Sequence, residues 1–193
     1  HIVLLEKEIA SSADKTFLGG IAHFLEARRV KNIIVAESFP YAMGKELERK
    51  FKLMTRKGML YAERAQKTDS EIEEIEKTAA AIDEAIAEAM EFLESSAIRG
   101  AYVYHADEMV TSEMVRKVID AKLYAQGYLA VGTIVASGLE AARPHCVGSG
   151  PLMPRMPIVL DIFPLSLKTH YYADETRTLF KGEPSDELKR MYE

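Results

Sequence analysis

The chain has 193 residues, 48% apolar and 28% charged, a composition that supports a hydrophobic core and excludes disorder as the main state. Its 30 acidic and 25 basic residues leave a formal charge of −5, so the electrostatic drive toward nucleic acid or an anionic membrane surface is missing. The single cysteine, Cys146, cannot form an intramolecular disulfide, which fits a reducing, cytoplasmic compartment.

The first residue is His1 rather than Met, and no basic segment followed by an apolar core opens the chain, so no secretory signal is expected. Leu123 to Leu139, the longest uncharged stretch, contains Gln126 and three glycines and does not read as a membrane span. Near the start, Ile2 to Leu5 suggests a strand. Phe17, Ile21, Phe24 and Leu25 form one apolar helical face, with Gly19 and Gly20 as weak points. The β-branched run Asn32 to Ala36 predicts a buried strand, and Pro40 opens a helix to about Lys50. Helix, strand and helix in sixty residues indicate part of a small α/β domain.

Composition changes near Arg56, and the charged stretch to Lys67 reads as a connector. A long helix then starts among Thr68, Asp69 and Ser70, with Glu71 and Glu73 placed for capping boxes. Its predicted apolar stripe is Ile72, Ile75, Ala79, Ile82, Ile86, Met90 and Leu93, and its acid-rich side is a solvated face. His105 falls in a loop. A second helix from Thr111 or Ser112 carries Met114, Val115, Val118, Ile119 and Leu123 and stops at Gly127. Strands are expected at Thr133 to Val135 and Pro157 to Leu160.

Two carboxylates interrupt strand-like apolar contexts, Asp161 and Asp174. An acidic residue in such a setting calls for a partner. A hairpin turning at Leu167-Lys168 sets Asp161 directly opposite Asp174 on one face. Adjacent carboxylates repel unless they share a proton or clamp a cation, and their oxygens suit hard divalent ions. The alternative is that Asp174 pairs with Arg177 or caps a turn while Asp161 ends a solvated strand. His145, in a Gly-rich segment before these carboxylates, is either a hydrogen-bonded structural residue or a donor to substrate. Gly148-Ser149-Gly150 precedes Pro151 and no helix pattern, so a phosphate loop is excluded. Cys146 and His145 make a poor nucleophile–base pair, because successive strand side chains point to opposite faces.

Together, Thr133 to Gly138 with Pro144-His145, then Pro157 to Ile162, then Tyr172 to Thr178 with Gly182, resemble the M24 metallopeptidases, and among them the Xaa-Pro peptidases. The resemblance implies an α+β fold: residues 1–58 as the end of a small α/β domain, and residues 59–193 as the first half of a "pita-bread" catalytic domain. It further implies a dinuclear centre of divalent Mn, Co or Zn that activates a water, with Asp161 and Asp174 as metal ligands and His145 contacting substrate. The substrate implied is a peptide with proline at its second position, and a homodimer is expected from how common such assemblies are. The family's later His and two Glu ligands have no counterpart in this chain, since Glu183, Glu187 and Glu193 follow Asp174 too closely. Phe163-Pro164 replaces a glycine and a small residue of many relatives, which narrows the pocket, and Glu175 stands where Met is frequent and points away from the metal face. Two other readings are a non-catalytic pita-bread binding protein and a metal-free, creatinase-like C–N hydrolase; retention of both aspartates argues against the latter.

Overall fold

Thr68 and the charged segment before it mark where the chain changes units: a computed structural model describes residues 2–192 and divides the chain between Gln66 and Lys67. His1 and Glu193 lie outside the described residues. The composition shift near Arg56 precedes this division, because a 3-10 turn at Ala62–Ala65 still belongs to the first unit.

In the first unit, α1 (Ile2–Ser11) and α2 (Phe17–Ala27) precede β1 (Asn32–Ala36), α3 (Tyr41–Leu47) and β2 (Lys52–Arg56). The segment Ile2 to Leu5 is helical, contrary to the strand expected there, since a short apolar run does not distinguish helix from strand and nothing breaks it before Ser11. Strands β1 and β2 pair in parallel, from Asn32 with Lys52 to Ala36 with Arg56, and α3 is their crossover. Ala22, Leu47 and Phe51 are buried between these elements, with Leu18, Ile21, Leu25, Ile33 and Leu53 against them. Gly19 and Gly20 are contact points rather than weak points: a Cβ on Gly20 would lie 2.5 Å from Cγ1 of Ile9 on α1. The side chain of Thr16 caps α2 by accepting from the Gly19 N–H.

The second unit begins with α4 (Asp69–Glu94), followed by β3 (Ala97–Arg99), β4 (Tyr102–His105), β5 (Glu108–Met109) and α5 (Ser112–Ala125). Then come β6 (Tyr128–Leu129), β7 (Ile134–Ser137), β8 (Pro157–Ile162), β9 (Leu165–Ser166), β10 (Glu175–Phe180) and α6 (Asp186–Tyr192). Both expected caps form: Thr68 and Glu71 make a reciprocal capping box on α4, and the Thr111 side chain caps α5. The buried face of α4 is Thr78, Ala81, Ile82, Ala85, Ile86, Ala89 and Leu93, whereas Ile72 and Met90 of the expected stripe are exposed. Small alanines win those places because α5 packs on them with Val115, Ile119 and Leu123. His105 ends β4 rather than standing in a loop, and its ring stacks on Phe92 at 4.7 Å between centroids. Among the described residues no helix is long and apolar enough to cross a membrane.

Three strands form the antiparallel sheet that matters most, in the order β10-β8-β7. Along β8, Ile158, Leu160 and Ile162 are fully buried in the core shared with α4 and α5, while Val159 and Asp161 are half-buried and alternate with them. The outer edge of β7 is closed by the Gly-rich segment: the Val135 N–H donates to the Val147 carbonyl (3.0 Å), which also accepts from Arg116 Nη1 (2.7 Å). Gly148 has φ +82°, and a Cβ there would lie 1.8 Å from the Val135 carbonyl oxygen. Gly148 thus serves close backbone approach, while Gly150 (φ +69°) supplies a left-handed turn with open space around it.

Gly148→Ala is therefore expected to destabilise the second unit by about 2 kcal/mol or more, from a left-handed backbone and a clash combined. Urea denaturation of the variant against the parent protein measures it.

Candidate metal centre

The placement of the two aspartates follows from strand register. Asp161 on β8 pairs with Thr176 on β10, Ile162 pairs with Glu175, and the same register resumes as a bridge between Leu165 and Tyr172. Asp174 accordingly lies opposite Phe163, and the directly opposed pair of aspartates expected from a turn at Leu167-Lys168 does not form. The loop runs from Leu167 to His170. His170 takes a left-handed backbone (φ 60°) and its N–H donates to the Ser166 carbonyl (2.9 Å), while the Ser166 N–H donates to the Tyr171 carbonyl (3.0 Å). No glycine announces that conformation in the sequence. A one-residue shift of the turn moves every partner by two and leaves the faces unchanged, because side chains alternate with period two. Asp161 and Asp174 are thus diagonal neighbours whose alternation assigns them to the face turned away from the main core.

Asp161 is half-buried and Asp174 exposed. The Thr176 hydroxyl donates to Oδ1 of Asp161 (2.8 Å), which fixes one carboxylate oxygen and orients the other. Arg177 serves the opposite face: it lies across from Leu160, bonds to Glu175, and stands 4.0 Å from Asp83 on α4. The alternative pairing of Asp174 with Arg177 is therefore not what forms, and Glu175 does turn away from the aspartate face. His145 is exposed in the turn after the 3-10 helix Gly138–Ala142, with a left-handed backbone (φ 59°). It lies two residues before Val147 on the outer edge of β7, so the structure brings the two aspartates to one face and leaves His145 beyond that edge. Among the described residues no group of three or more His, Cys, Asp or Glu is placed to hold a metal ion. Two carboxylates have the hard-oxygen chemistry of a divalent-cation site, and by themselves they form only part of one.

Sequence reading missed two supports of this face. Thr176 was legible as the residue two positions after Asp174, which alternation puts on the same side. The other support is remote: the Tyr171 hydroxyl donates to Oε1 of Glu71 (2.6 Å), tying the segment before Asp174 to the capping box of α4 across 100 residues of chain. The Thr68 backbone N–H, the Tyr171 hydroxyl and the Thr68 hydroxyl together hold the Glu71 carboxyl down to a pKa of about 2.

The sequence model of metallopeptidase family M24 matches residues 73–193. The chain is 29% identical over 168 residues to an Xaa-Pro dipeptidase of Pyrococcus horikoshii, a match covering 85% of this chain and 44% of that protein. Its fold resembles the solved Xaa-Pro dipeptidase of Bacillus anthracis (TM-score 0.76, 26% identity), over 92% of this chain and 47% of the other. The solved prolidase of Pyrococcus horikoshii is similar as well (TM-score 0.69, 27% identity), over 89% and 47% of the two chains. The chain thus spans about half the length of these relatives, and its architecture is the corresponding part of the pita-bread fold.

The low pKa of Glu71 gives stability a defined pH dependence. A depressed carboxylate contributes fully above its ordinary value of 4.5 and loses that contribution as pH falls through about 2. Denaturation midpoints between pH 5 and pH 2 are expected to fall less steeply in Glu71→Gln and in Tyr171→Phe than in the parent protein.

Proposed function

The chain belongs to metallopeptidase family M24, and on that premise we propose that this protein is a metal-dependent exopeptidase hydrolysing the bond before a proline at the second position of a peptide. The observation that carries the reading is the pair Asp161 and Asp174 on one face of the β8–β10 ladder, within the segment that the family matches. Relatives named as Xaa-Pro dipeptidases support the choice of substrate.

Asp161 and Asp174 would be among the ligands of a centre of two divalent ions, Mn, Co or Zn, which when bound would supply Lewis acidity and a nucleophile at neutral pH. Thr176 keeps the Asp161 carboxylate in one orientation, so less rotamer freedom is lost when it takes up a cation. Val159 on β8 and Phe163 just after it, each two residues from Asp161 and of the same parity, put apolar side chains on either side of that carboxylate. His145 would donate a hydrogen bond from its ring to the substrate, on the edge of β7 rather than within the ladder. Its exposed turn leaves the imidazole free to meet a bound peptide. A competing reading is a pita-bread domain that binds protein without catalysis.

Metal analysis and assay of an Xaa-Pro peptide separate the two. Asp161→Asn and Asp174→Asn are each expected to lower metal affinity and cleavage by more than about 100-fold. His145→Ala is expected to lower kcat by about 100-fold or more while bound metal stays at the parent level. Peptide binding without metal uptake or cleavage by the parent protein would favour the binding domain instead.

A further inference from the structure

The register that separates the aspartates puts an aromatic side chain between them and the end of β7. Phe163 lies opposite Asp174 on one side, bracketed by the Ile162–Glu175 pair and the Leu165–Tyr172 bridge. On the other side, the β7–β8 pairing ends at Ile134 and Asp161, and two residues further along each chain Gly132 comes next to Phe163. The ring occupies that place: its Cζ and Cε2 atoms lie 3.7 and 3.8 Å from where a Cβ of Gly132 would stand. Gly132 is exposed and adopts φ +90°, so the surface beneath the ring is bare backbone that the ring alone fills. Phe163 itself is half-buried, with one side of the ring on Gly132 and the remainder facing outward. Alternation sets Phe163 on the same side of the chain as Asp161, two residues away.

We propose that Phe163 is a specificity-determining residue that limits the size of the substrate side chain admitted beside the Asp161–Asp174 pair. The inference rests on the peptidase reading above. A rigid phenyl ring flanking both carboxylates removes volume that a bulky N-terminal side chain needs, and it leaves a glycyl or alanyl group unhindered. Truncating the ring opens space over Gly132.

The test is steady-state hydrolysis of Ala-Pro and Phe-Pro by the metal-loaded parent protein, Phe163→Ala and Phe163→Leu, with calorimetric binding of both dipeptides and metal content measured in parallel. The expected result is a rise of about tenfold or more in the Phe-Pro to Ala-Pro ratio of kcat/KM for Phe163→Ala and a smaller rise for Phe163→Leu. The gain is expected in KM and in the calorimetric affinity for Phe-Pro, with bound metal unchanged. If the parent cleaves both dipeptides and the variants keep its ratio, the role of Phe163 is overturned and the peptidase reading stands. A parent protein that takes up metal and cleaves neither overturns both. Loss of metal in Phe163→Leu would overturn the size filter in favour of a support for the ligands.

Discussion

The two-residue period of strand β8 is the constraint on which the molecule's organisation depends. Its even positions, Ile158, Leu160 and Ile162, are fully buried against the core built by α4 and α5, so the odd positions have no choice of side. Slipping the strand by one residue would bury Asp161 and expose three large apolar side chains. Burial of an unpaired carboxylate and loss of three core residues are each costly enough to forbid that arrangement. The hydrophobic core thereby assigns Asp161 to the outward face before any ligand is considered. Strand β10 inherits the same parity through its pairing, and Asp174 follows.

The helices supply the other half of this rigidity. Alanines at 81, 85 and 89 bring α4 close to α5, and neither helix exposes the β-branched and leucine side chains that face the sheet. The capping box at Thr68 and Glu71 does more than begin a helix, since Glu71 also receives the hydroxyl of Tyr171. Helix start and aspartate-bearing segment are consequently joined by one carboxylate. A charged acceptor with several donors is a stronger tether than a neutral pair, and its low pKa reports that.

Much of this was legible in the sequence wherever a local rule decided the outcome. The caps of α4 and α5 and the alternation around Asp161 rest on neighbours a few residues apart and form as expected, whereas the strand at Asn32 to Ala36 forms with only Val35 buried and Ile34 exposed, because one of its faces is left uncovered. The exact partner of Asp161 was not legible, because it depends on a loop whose left-handed residue is His170 rather than a glycine. Likewise the α4 stripe was misjudged at Ile72 and Met90, since sequence spacing counts apolar residues and cannot tell which of two adjacent faces a neighbour helix will cover. Short strands such as β3, β5, β6 and β9 carry too few residues to show a period at all. The contact between Tyr171 and Glu71 joins positions that no pattern in the chain relates.

The closure of β7 by Val147 bears on how the sheet can grow. An edge strand with unpaired amides is a template for whatever strand meets it, including one from another molecule. Arg116 holds the Val147 carbonyl against that edge, and Gly148 lets the segment turn away immediately afterwards, so a second strand cannot slide in alongside Val135. On the opposite side β10 ends the sheet with Thr176, Arg177 and Thr178 exposed. Extension of the ladder is therefore directional: β10 is the side open to another strand, and the cationic side chain at its centre discourages casual aggregation there.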